Sequence, residues 1–209
     1  EDGIRDLVRS RGLGDVYKRQ EQGRRADEAE KEALEWLLRA FPQLGSALDV
    51  GCGTGHFTRW LADRGLAAIG LDLSPAMLAQ AGLADGPQLV QGDALHLPFA
   101  DGSFELAALV TTIEFLRQPR DALVEALRVA RSGILLGVLN RWSALGLSRR
   151  LAGLFRPTVY KEARFYGVGE LRRLLNSVAG EGSRVLWRTT LYPRCLAWAQ
   201  SRLPWGGFI

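Results

Sequence analysis

The chain has few cysteines and histidines for its length. Its 209 residues include only two of each. The two cysteines, Cys52 and Cys195, are far apart and cannot build a disulfide framework, and no Cys-x-x-Cys or Cys/His spacing typical of zinc ligands is present. We therefore predict free thiols in a reducing cytoplasm and no bound metal.

Long apolar runs and a strong charge of one sign are also missing. No run approaches the roughly 20 apolar residues that a membrane-spanning helix requires. The formal net charge is +4, from 27 basic and 23 acidic residues, which is too small to indicate nucleic acid as a partner. The hydrophobic content of 47% predicts a globular protein with a sizeable core.

The first 20 residues resemble a translated sequencing-library adapter. EDGIRD (residues 1–6) and SRGLGDVYKRQ (residues 10–20) match adapter codons, and residues 7–9 lie where such adapters carry a variable index. A basic N-terminal arm is the alternative. We exclude residues 1–20 from reasoning about the fold and expect residues 21–209 to form a single domain.

Helical and strand patterns alternate through most of the remaining chain. Short apolar runs separated by helices of about 10–15 residues are typical of βαβ units and of a mainly parallel sheet covered on both faces. An irregular region, residues 141–166, interrupts this rhythm before a last helix and strand. The predicted helices are 24–41, 56–65, 74–82, 119–130 and 170–178, and the predicted strands are 46–50, 66–72, 88–93, 101–111, 132–139 and 183–192.

The stretch ALDVGCGTGHFTRWL, residues 47–61, places three glycines between a predicted strand and a predicted helix. In an open parallel sheet, ligands bind beyond the carboxyl ends of the strands. Gly51 and Gly53 fit the first two positions of the dinucleotide fingerprint G-x-G-x-x-G, but the third position is His56. No Lys-Ser/Thr pair follows, which excludes a P-loop. A structural turn remains the alternative at this point.

Acidic residues end the next two predicted strands. Asp72 can accept hydrogen bonds from both hydroxyls of a ribose, and Asp93 can accept one from an adenine amino group. Leu73 and Met77 can pack on the faces of the adenine. No nearby residue of the sequence supplies a cation for a pyrophosphate. This pattern favours an adenosine-containing ligand.

Four segments resemble successive motifs of the class I S-adenosylmethionine-dependent methyltransferases, of the small kind related to ubiquinone biosynthesis. They are LDVGCGTGHFTRWL, GLDLSPAML, QGDALHLPFADGSFELAALV and ARFYGVGELRRLL, and the resemblance runs in register from about residue 33 to residue 191. It implies an α/β, doubly wound, Rossmann-like sheet of seven strands in the order 3-2-1-4-5-7-6, mainly parallel with an antiparallel final strand. It also implies S-adenosylmethionine as cofactor and a small-molecule methyl acceptor.

The resemblance also implies roles for individual residues. Asp72 binds the ribose, and Asp93 with Ala94 borders the adenine. The N-terminus of the helix near His56 favours the carboxylate of the methionine tail. The loop along the methionine half of the cofactor is formed by Asp49, Gly51, Gly53 and Gly55.

Two other functions are weighed against methyl transfer. A nicotinamide-dependent oxidoreductase is expected to carry glycine where this chain has His56. A non-catalytic binding module of the same fold is expected to have lost Asp72 or the loop glycines, and both are present.

Methyl transfer from a sulfonium is an in-line displacement that mainly needs alignment and a dry site, and a base is needed only when the acceptor must lose a proton. Glu114, after the fourth predicted strand, is the candidate for a catalytic or acceptor-binding residue; a satisfied core carboxylate is the alternative. His96 is predicted to be a solvated loop residue, and Cys52 to fill a small gap beside the loop.

The irregular region, residues 141–166, is predicted to cover the acceptor side as a lid. Its segment SALGLSRRLAGLF, residues 143–155, is cationic and amphipathic, so contact with a membrane surface or with a lipid-like acceptor is the alternative. Tyr160, Phe165 and Tyr166 can line a pocket for an aromatic acceptor, or belong to the core. The last residues, 191–209, are expected to contain the long connection after the sixth strand and only the first residues of a seventh strand, which would leave residues 21–209 marginally stable or prone to aggregate.

Overall fold

A computed structural model describes residues 21–41, 43–81, 86–141, 163–180 and 183–188. The chain forms two compact units. One contains the residues up to 40 and those from 139 onward, and the other contains residues 41–138. The sheet and every residue predicted for the cofactor site belong to the unit of residues 41–138.

The helices and strands follow the predicted alternation. Within the described residues, the helices are α1 (Glu21–Leu38), α2 (His56–Ala62), α3 (Pro75–Ala79), α4 (Pro119–Val129) and α5 (Val168–Asn176). The strands are β1 (Ser46–Val50), β2 (Ala67–Asp72), β3 (Gln88–Gln91), β4 (Phe104–Val110) and β5 (Ala130–Gly137), and a 3-10 turn spans Ile113–Phe115.

The five strands form one parallel sheet in the order β3-β2-β1-β4-β5. The order reverses between β1 and β4, which makes that position the topological switch point of the sheet. Helix α2 packs on β2 and β1, and α4 packs on β5 and β4. Because parallel crossovers are right-handed, these helices lie on opposite faces. The predicted doubly wound α/β architecture is confirmed for these strands.

The central strands are mostly apolar because both of their faces are covered. In β1, Leu48 and Val50 have no exposed surface, and the same holds for Leu106 and Leu109 of β4. Helix α4 contributes a fully buried face made of Ala122, Leu123, Ala126 and Val129.

Local sequence signals also explain where the short helix α3 begins. Ser74 is the N-cap residue, and its hydroxyl accepts a hydrogen bond from Met77 N at 3.3 Å. Pro75 occupies the first helical position, where its missing N–H is not needed.

One predicted strand is wrong over the part that the structure describes. Residues 183–188, the first six of the strand predicted at 183–192, have no regular secondary structure. The adapter-like residues 1–20, most of the predicted lid (142–162, including Tyr160) and the proposed seventh strand within 191–209 lie outside the described residues. Phe165 and Tyr166, predicted as pocket or core residues, are 7% and 3% exposed.

None of the described helices combines the length and the apolar content that a membrane-spanning helix requires.

Candidate functional site

The three glycines of the loop after β1 all adopt positive φ angles. The values are +73° for Gly51, +57° for Gly53 and +75° for Gly55, a region that residues with a Cβ rarely occupy. A Cβ added at Gly51 would also lie 2.4 Å from Cγ2 of Thr112. Glycine is therefore required at residue 51 by the backbone and by the neighbouring strand end.

The loop is bonded to the end of β2. Gly51 N and Cys52 N both donate to Leu71 O, at 2.7 and 3.0 Å. Asp72, only 3% exposed, accepts hydrogen bonds on both carboxylate oxygens: Oδ2 from Gly53 N and Oδ1 from Ser74 N, each at 2.8 Å. Asp72 thus links the glycine loop to the turn before α3.

Asp49 lies in β1, directly before the loop, and is 2% exposed. Its Oδ2 accepts a hydrogen bond from the hydroxyl of Thr58 at 2.7 Å. Thr58 belongs to α2 and is fully buried. A Cβ at Gly70 would come within 2.7 Å of the Thr58 hydroxyl oxygen, so glycine in β2 leaves room for this contact. Sequence reasoning missed Thr58; its only signal was a hydroxyl on the apolar face of a predicted helix.

Cys52 is 9% exposed and lies beside these carboxylates. Burial raises the pKa of its thiol far above the usual value, and the negative charges of Asp49 and Asp72 raise it further. The thiol is therefore protonated and unreactive at neutral pH. Cys52 packs in the gap beside the loop, as predicted.

The turn after β3 contains Asp93 and Ala94. Asp93 Oδ1 accepts a hydrogen bond from Leu95 N at 2.9 Å, and Asp93 O accepts one from His96 N at 3.1 Å. Ala94 is 8% exposed. The side chain of His96 is 86% exposed, with Nδ1 at 3.7 Å from Asp93 Oδ2, which agrees with the prediction of a solvated loop residue.

Leu73 and Met77 differ in exposure. Leu73, which follows Asp72, is 60% exposed, whereas Met77 in α3 is 5% exposed. The methyl carbon of Met77 lies 3.3 Å from where a Cβ of Gly53 would be. Met77 therefore packs against the glycine loop, while Leu73 presents a large apolar side chain at the surface next to Asp72.

The residues after β4 complete this edge of the sheet. Thr111 has a φ of +54°, which is an outlier for a β-branched residue. Thr112 donates its hydroxyl to Val50 O at 2.9 Å, so the ends of β4 and β1 are joined at the switch point. Glu114, in the 3-10 turn, is 2% exposed. Sequence reasoning singled out Glu114 but not the two threonines.

Comparison with known proteins identifies the family. Residues 48–137 match a family model described as a methyltransferase domain. The ubiquinone/menaquinone biosynthesis C-methyltransferase of Roseobacter denitrificans is 34% identical over 162 residues, which are 72% of this chain and 60% of that protein. A crystal structure of an S-adenosylmethionine-dependent methyltransferase from Thermotoga maritima is 30% identical, with a TM-score of 0.72, over 87% of this chain and 83% of that chain.

The chain belongs to the S-adenosylmethionine-dependent methyltransferases. This confirms the predicted resemblance and removes the nicotinamide-dependent oxidoreductase as an alternative. A probable tocopherol O-methyltransferase of rice is also similar, at 38% identity over 96 residues, which are 42% of this chain and 26% of that protein. The chain spans 60% of the length of the Roseobacter protein.

The strand ends of this methyltransferase bring carboxylates and a glycine loop to one edge of the sheet. Asp49, Asp72 and Glu114 are buried there, and Asp93 follows β3 at the same edge. Such an arrangement suits an organic ligand that carries positive charge and hydroxyl groups. Among the residues that the structure describes, no group of three or more His, Cys, Asp or Glu side chains is placed to hold a metal ion.

Proposed function

We propose that this chain binds S-adenosylmethionine at the carboxyl end of the sheet and transfers its methyl group to a small-molecule acceptor. The observation that carries the proposal is the negative charge at the glycine loop. Asp49 and Asp72 are 2% and 3% exposed, and Asp72 accepts a hydrogen bond from Gly53 N of the loop at 2.8 Å. S-Adenosylmethionine carries a sulfonium and an ammonium group, which carboxylates at the loop attract, whereas Asp49 would repel a pyrophosphate.

We assign the ribose hydroxyls to Asp72. Its carboxylate is fixed at the end of β2 by hydrogen bonds from Gly53 N and Ser74 N. A carboxylate oxygen can accept more than one hydrogen bond, so the ribose hydroxyls can donate to the same group. The exposed side chain of Leu73 can pack on one face of the adenine. The buried side chain of Met77 packs against the glycine loop.

We assign the remaining cofactor contacts to other residues at the same edge of the sheet. Asp49 and the loop glycines Gly51, Gly53 and Gly55 border the methionine half of the cofactor, since without Cβ atoms the ligand can approach the backbone closely. His56, at the first residue of α2, lies next to that tail. Asp93 accepts a hydrogen bond from the adenine amino group, and Ala94 packs at the ring edge.

When bound, S-adenosylmethionine supplies an electrophilic methyl group on a good leaving group. The residues of the chain must align the acceptor with that methyl group and exclude water, which together can contribute roughly 7–11 kcal/mol to lowering the barrier. Glu114 is buried at the end of β4, next to the switch point. We assign it to hydrogen bonding with the acceptor, or to removal of a proton from an acceptor hydroxyl.

Two relatives of the chain suggest the class of the acceptor. One is a ubiquinone/menaquinone biosynthesis C-methyltransferase and another a probable tocopherol O-methyltransferase, so a small aromatic acceptor with a lipid-like tail is our proposal for this chain. Contact with a membrane surface through residues 143–155 stays a prediction, because that segment lies outside the described residues.

The sheet of this methyltransferase is proposed to extend beyond β5 as a single domain. In the described residues β5 pairs with β4 on one side, and its apolar residues Ile134, Leu135 and Leu136 suit a strand with neighbours on both sides. A sixth strand and an antiparallel seventh strand would complete the order 3-2-1-4-5-7-6.

A turnover assay with the variant Glu114→Gln tests the proposed activity. The wild-type protein is incubated with S-adenosylmethionine and a panel of demethylated quinols and tocopherol precursors, and release of S-adenosylhomocysteine is measured. We expect Glu114→Gln to lower turnover of an accepted substrate while the affinity for the cofactor is unchanged. Equal turnover of both proteins would mean that Glu114 has only a structural role. Cofactor binding without turnover of any acceptor would favour the non-catalytic binding module.

A further inference from the structure

The connection between β3 and β4, residues 92–103, crosses the sheet without a helix of its own. Strands β2 and β1 lie between β3 and β4. The connection therefore has to cross over β2 and β1, and it runs from the carboxyl edge of the sheet to the amino edge. Parallel strands are usually joined by a crossover that contains a helix. Contacts from outside the connection must replace the stiffness that a helix would give.

Arg128, in the last turn of α4, supplies most of these contacts. Its Nη1 donates to Phe99 O and to Asp101 Oδ1, both at 2.8 Å. Its Nη2 donates to Leu97 O at 3.0 Å and to Glu125 Oε2 at 2.8 Å, and its Nε donates to Glu125 Oε1 at 2.8 Å. A guanidinium has five N–H donors in a fixed planar arrangement, so these five hydrogen bonds use its full capacity.

Glu125 holds the same connection from the other side. Its Oε2 accepts a hydrogen bond from Leu97 N at 2.8 Å, so both backbone groups of Leu97 are bonded to this pair of side chains. The side chains of Arg128 and Glu125 are 30% and 20% exposed. Hydrogen bonds from Arg128 hold the pKa of the Glu125 carboxyl below its usual value, which keeps the pair charged at neutral pH. We call this pair the Arg128–Glu125 clamp.

The clamp acts on the turn that precedes Leu97. That turn is closed by the hydrogen bonds that Asp93 accepts from Leu95 N and His96 N. Its orientation therefore depends on where Leu97 is fixed. We propose that Arg128 and Glu125 are positioning residues that set the place of Asp93 and Ala94 for recognition of the adenine. This rests on the proposed function, in which Asp93 accepts a hydrogen bond from the adenine amino group.

The test compares two ligands that differ at that amino group. S-Adenosylhomocysteine carries it, whereas S-inosylhomocysteine has an oxygen in its place. We expect the wild-type protein to prefer S-adenosylhomocysteine by about tenfold or more, the effect of one hydrogen bond to a charged group. In Arg128→Lys and Glu125→Gln the ratio of the two dissociation constants should fall toward one. Lysine cannot reproduce the planar set of donors. Glutamine turns its amide NH2, itself a donor, toward an N–H group of Arg128 or Leu97 that Glu125 accepts from.

Two matched controls change ion pairs that do not contact the turn of Asp93 and Ala94. Asp101→Asn changes a partner of Arg128 that is 82% exposed and lies at the far end of the connection. Arg131→Lys changes a separate pair, in which Nη2 lies 3.1 Å from Glu105 Oε1. Both controls should keep the wild-type ratio, although either can lower thermal stability.

Each outcome decides the proposal. An unchanged ratio in folded Arg128→Lys and Glu125→Gln overturns it, and Glu125→Gln alone decides the matter if the lysine variant does not fold. If the wild-type protein binds S-adenosylhomocysteine and S-inosylhomocysteine with equal affinity, Asp93 does not recognise the adenine amino group, and the proposed role of the clamp is overturned as well. A wild-type protein that binds neither ligand overturns the proposed function itself.

Discussion

At the scale of single residues, Gly51 has two separate reasons to be glycine. Its φ of +73° costs a residue with a Cβ about 1–2 kcal/mol. In addition, a Cβ would lie 2.4 Å from Cγ2 and 2.8 Å from Oγ1 of Thr112. Because Thr112 is fixed by its hydrogen bond to Val50 O, it cannot move away easily, and such overpacking costs about 1–3 kcal/mol.

The variant Gly51→Ala is therefore expected to lower the free energy of unfolding by about 2–5 kcal/mol. Gly65→Ala is the matched control, since Gly65 also has a positive φ, +84°, but nothing lies within 4 Å of its added Cβ. The control should lose only the backbone contribution of about 1–2 kcal/mol. Urea denaturation of both variants measures the difference, and equal losses would show that Thr112 does not constrain the loop.

Variants of Asp72 test whether this residue binds the ribose of the cofactor. Asp72→Ala should weaken binding of the cofactor by roughly 1.5–3 kcal/mol, the scale of hydrogen bonds to a charged group. Asp72→Asn should lose less than the alanine variant, since its amide oxygen can still accept a hydrogen bond although its NH2 group cannot. Titration calorimetry measures both, with the exposed Asp121→Asn as control. Unchanged affinity in both Asp72 variants would contradict the ribose assignment.

The sequence locates the carboxylates of the site but not their partners. Asp72 and Asp93 could be placed because each follows a short apolar run, and the carboxyl ends of parallel strands share one edge. The contact of Thr112 with Val50 O joins residues 62 positions apart, and that of Leu97 with Glu125 joins residues 28 apart. Such pairings depend on strand order and on the path of a connection, which no local pattern encodes.

At the scale of elements, the start of β1 is held by a side chain of β4. Glu105 Oε2 accepts hydrogen bonds from Gly45 N at 2.6 Å and from Ser46 N at 2.7 Å. Arg131, at the start of β5, reaches Glu105 Oε1 at 3.1 Å. One carboxylate thus connects the amino ends of three adjacent strands.

This contact predicts a dependence of stability on pH. The hydrogen bonds from Gly45 N and Ser46 N, aided by Arg131, hold the pKa of Glu105 below its ordinary value of 4.5. A pKa lowered by folding contributes stability that is present above the unfolded pKa and is lost as the pH falls through the folded pKa. The stability difference between wild type and Glu105→Gln should therefore be largest near neutral pH and shrink below about pH 4.5.

Urea denaturation of both proteins at several pH values checks this expectation. A difference that stays constant from neutral to acid pH would mean that the carboxylate charge of Glu105 does not contribute to stability.

The strands also show where the apolar pattern of the sequence is sufficient to predict an element and where it is not. Strands β1 and β2 were predicted within a residue because their apolar runs are bounded by glycine and polar residues. The segment predicted as a strand at 183–192 also contains β-branched and aromatic residues. Its described part, residues 183–188, nevertheless forms no strand. Strand propensity reports how well a side chain suits a pleated surface, not whether a partner strand is available.

At the scale of the whole molecule, the site follows from the reversal in strand order. The chain returns from β3 to the other side of β1, so the ends of β1 and β4 are neighbours whose connections leave in different directions. Ligands of open α/β sheets bind beyond the strand ends at such a position. The glycine loop, Asp72, Asp93 and Glu114 all follow strands of this one sheet. The central claim is that this edge binds S-adenosylmethionine as its cofactor.

Titration calorimetry with S-adenosylmethionine, S-adenosylhomocysteine and NAD⁺ tests that claim most directly. We expect S-adenosylmethionine and S-adenosylhomocysteine each to bind with one molecule per chain, and NAD⁺, whose pyrophosphate would lie at the glycine loop beside Asp49, to give no binding heat. Binding of NAD⁺ with equal or higher affinity, or no binding of either adenosyl ligand by the folded protein, would contradict the account.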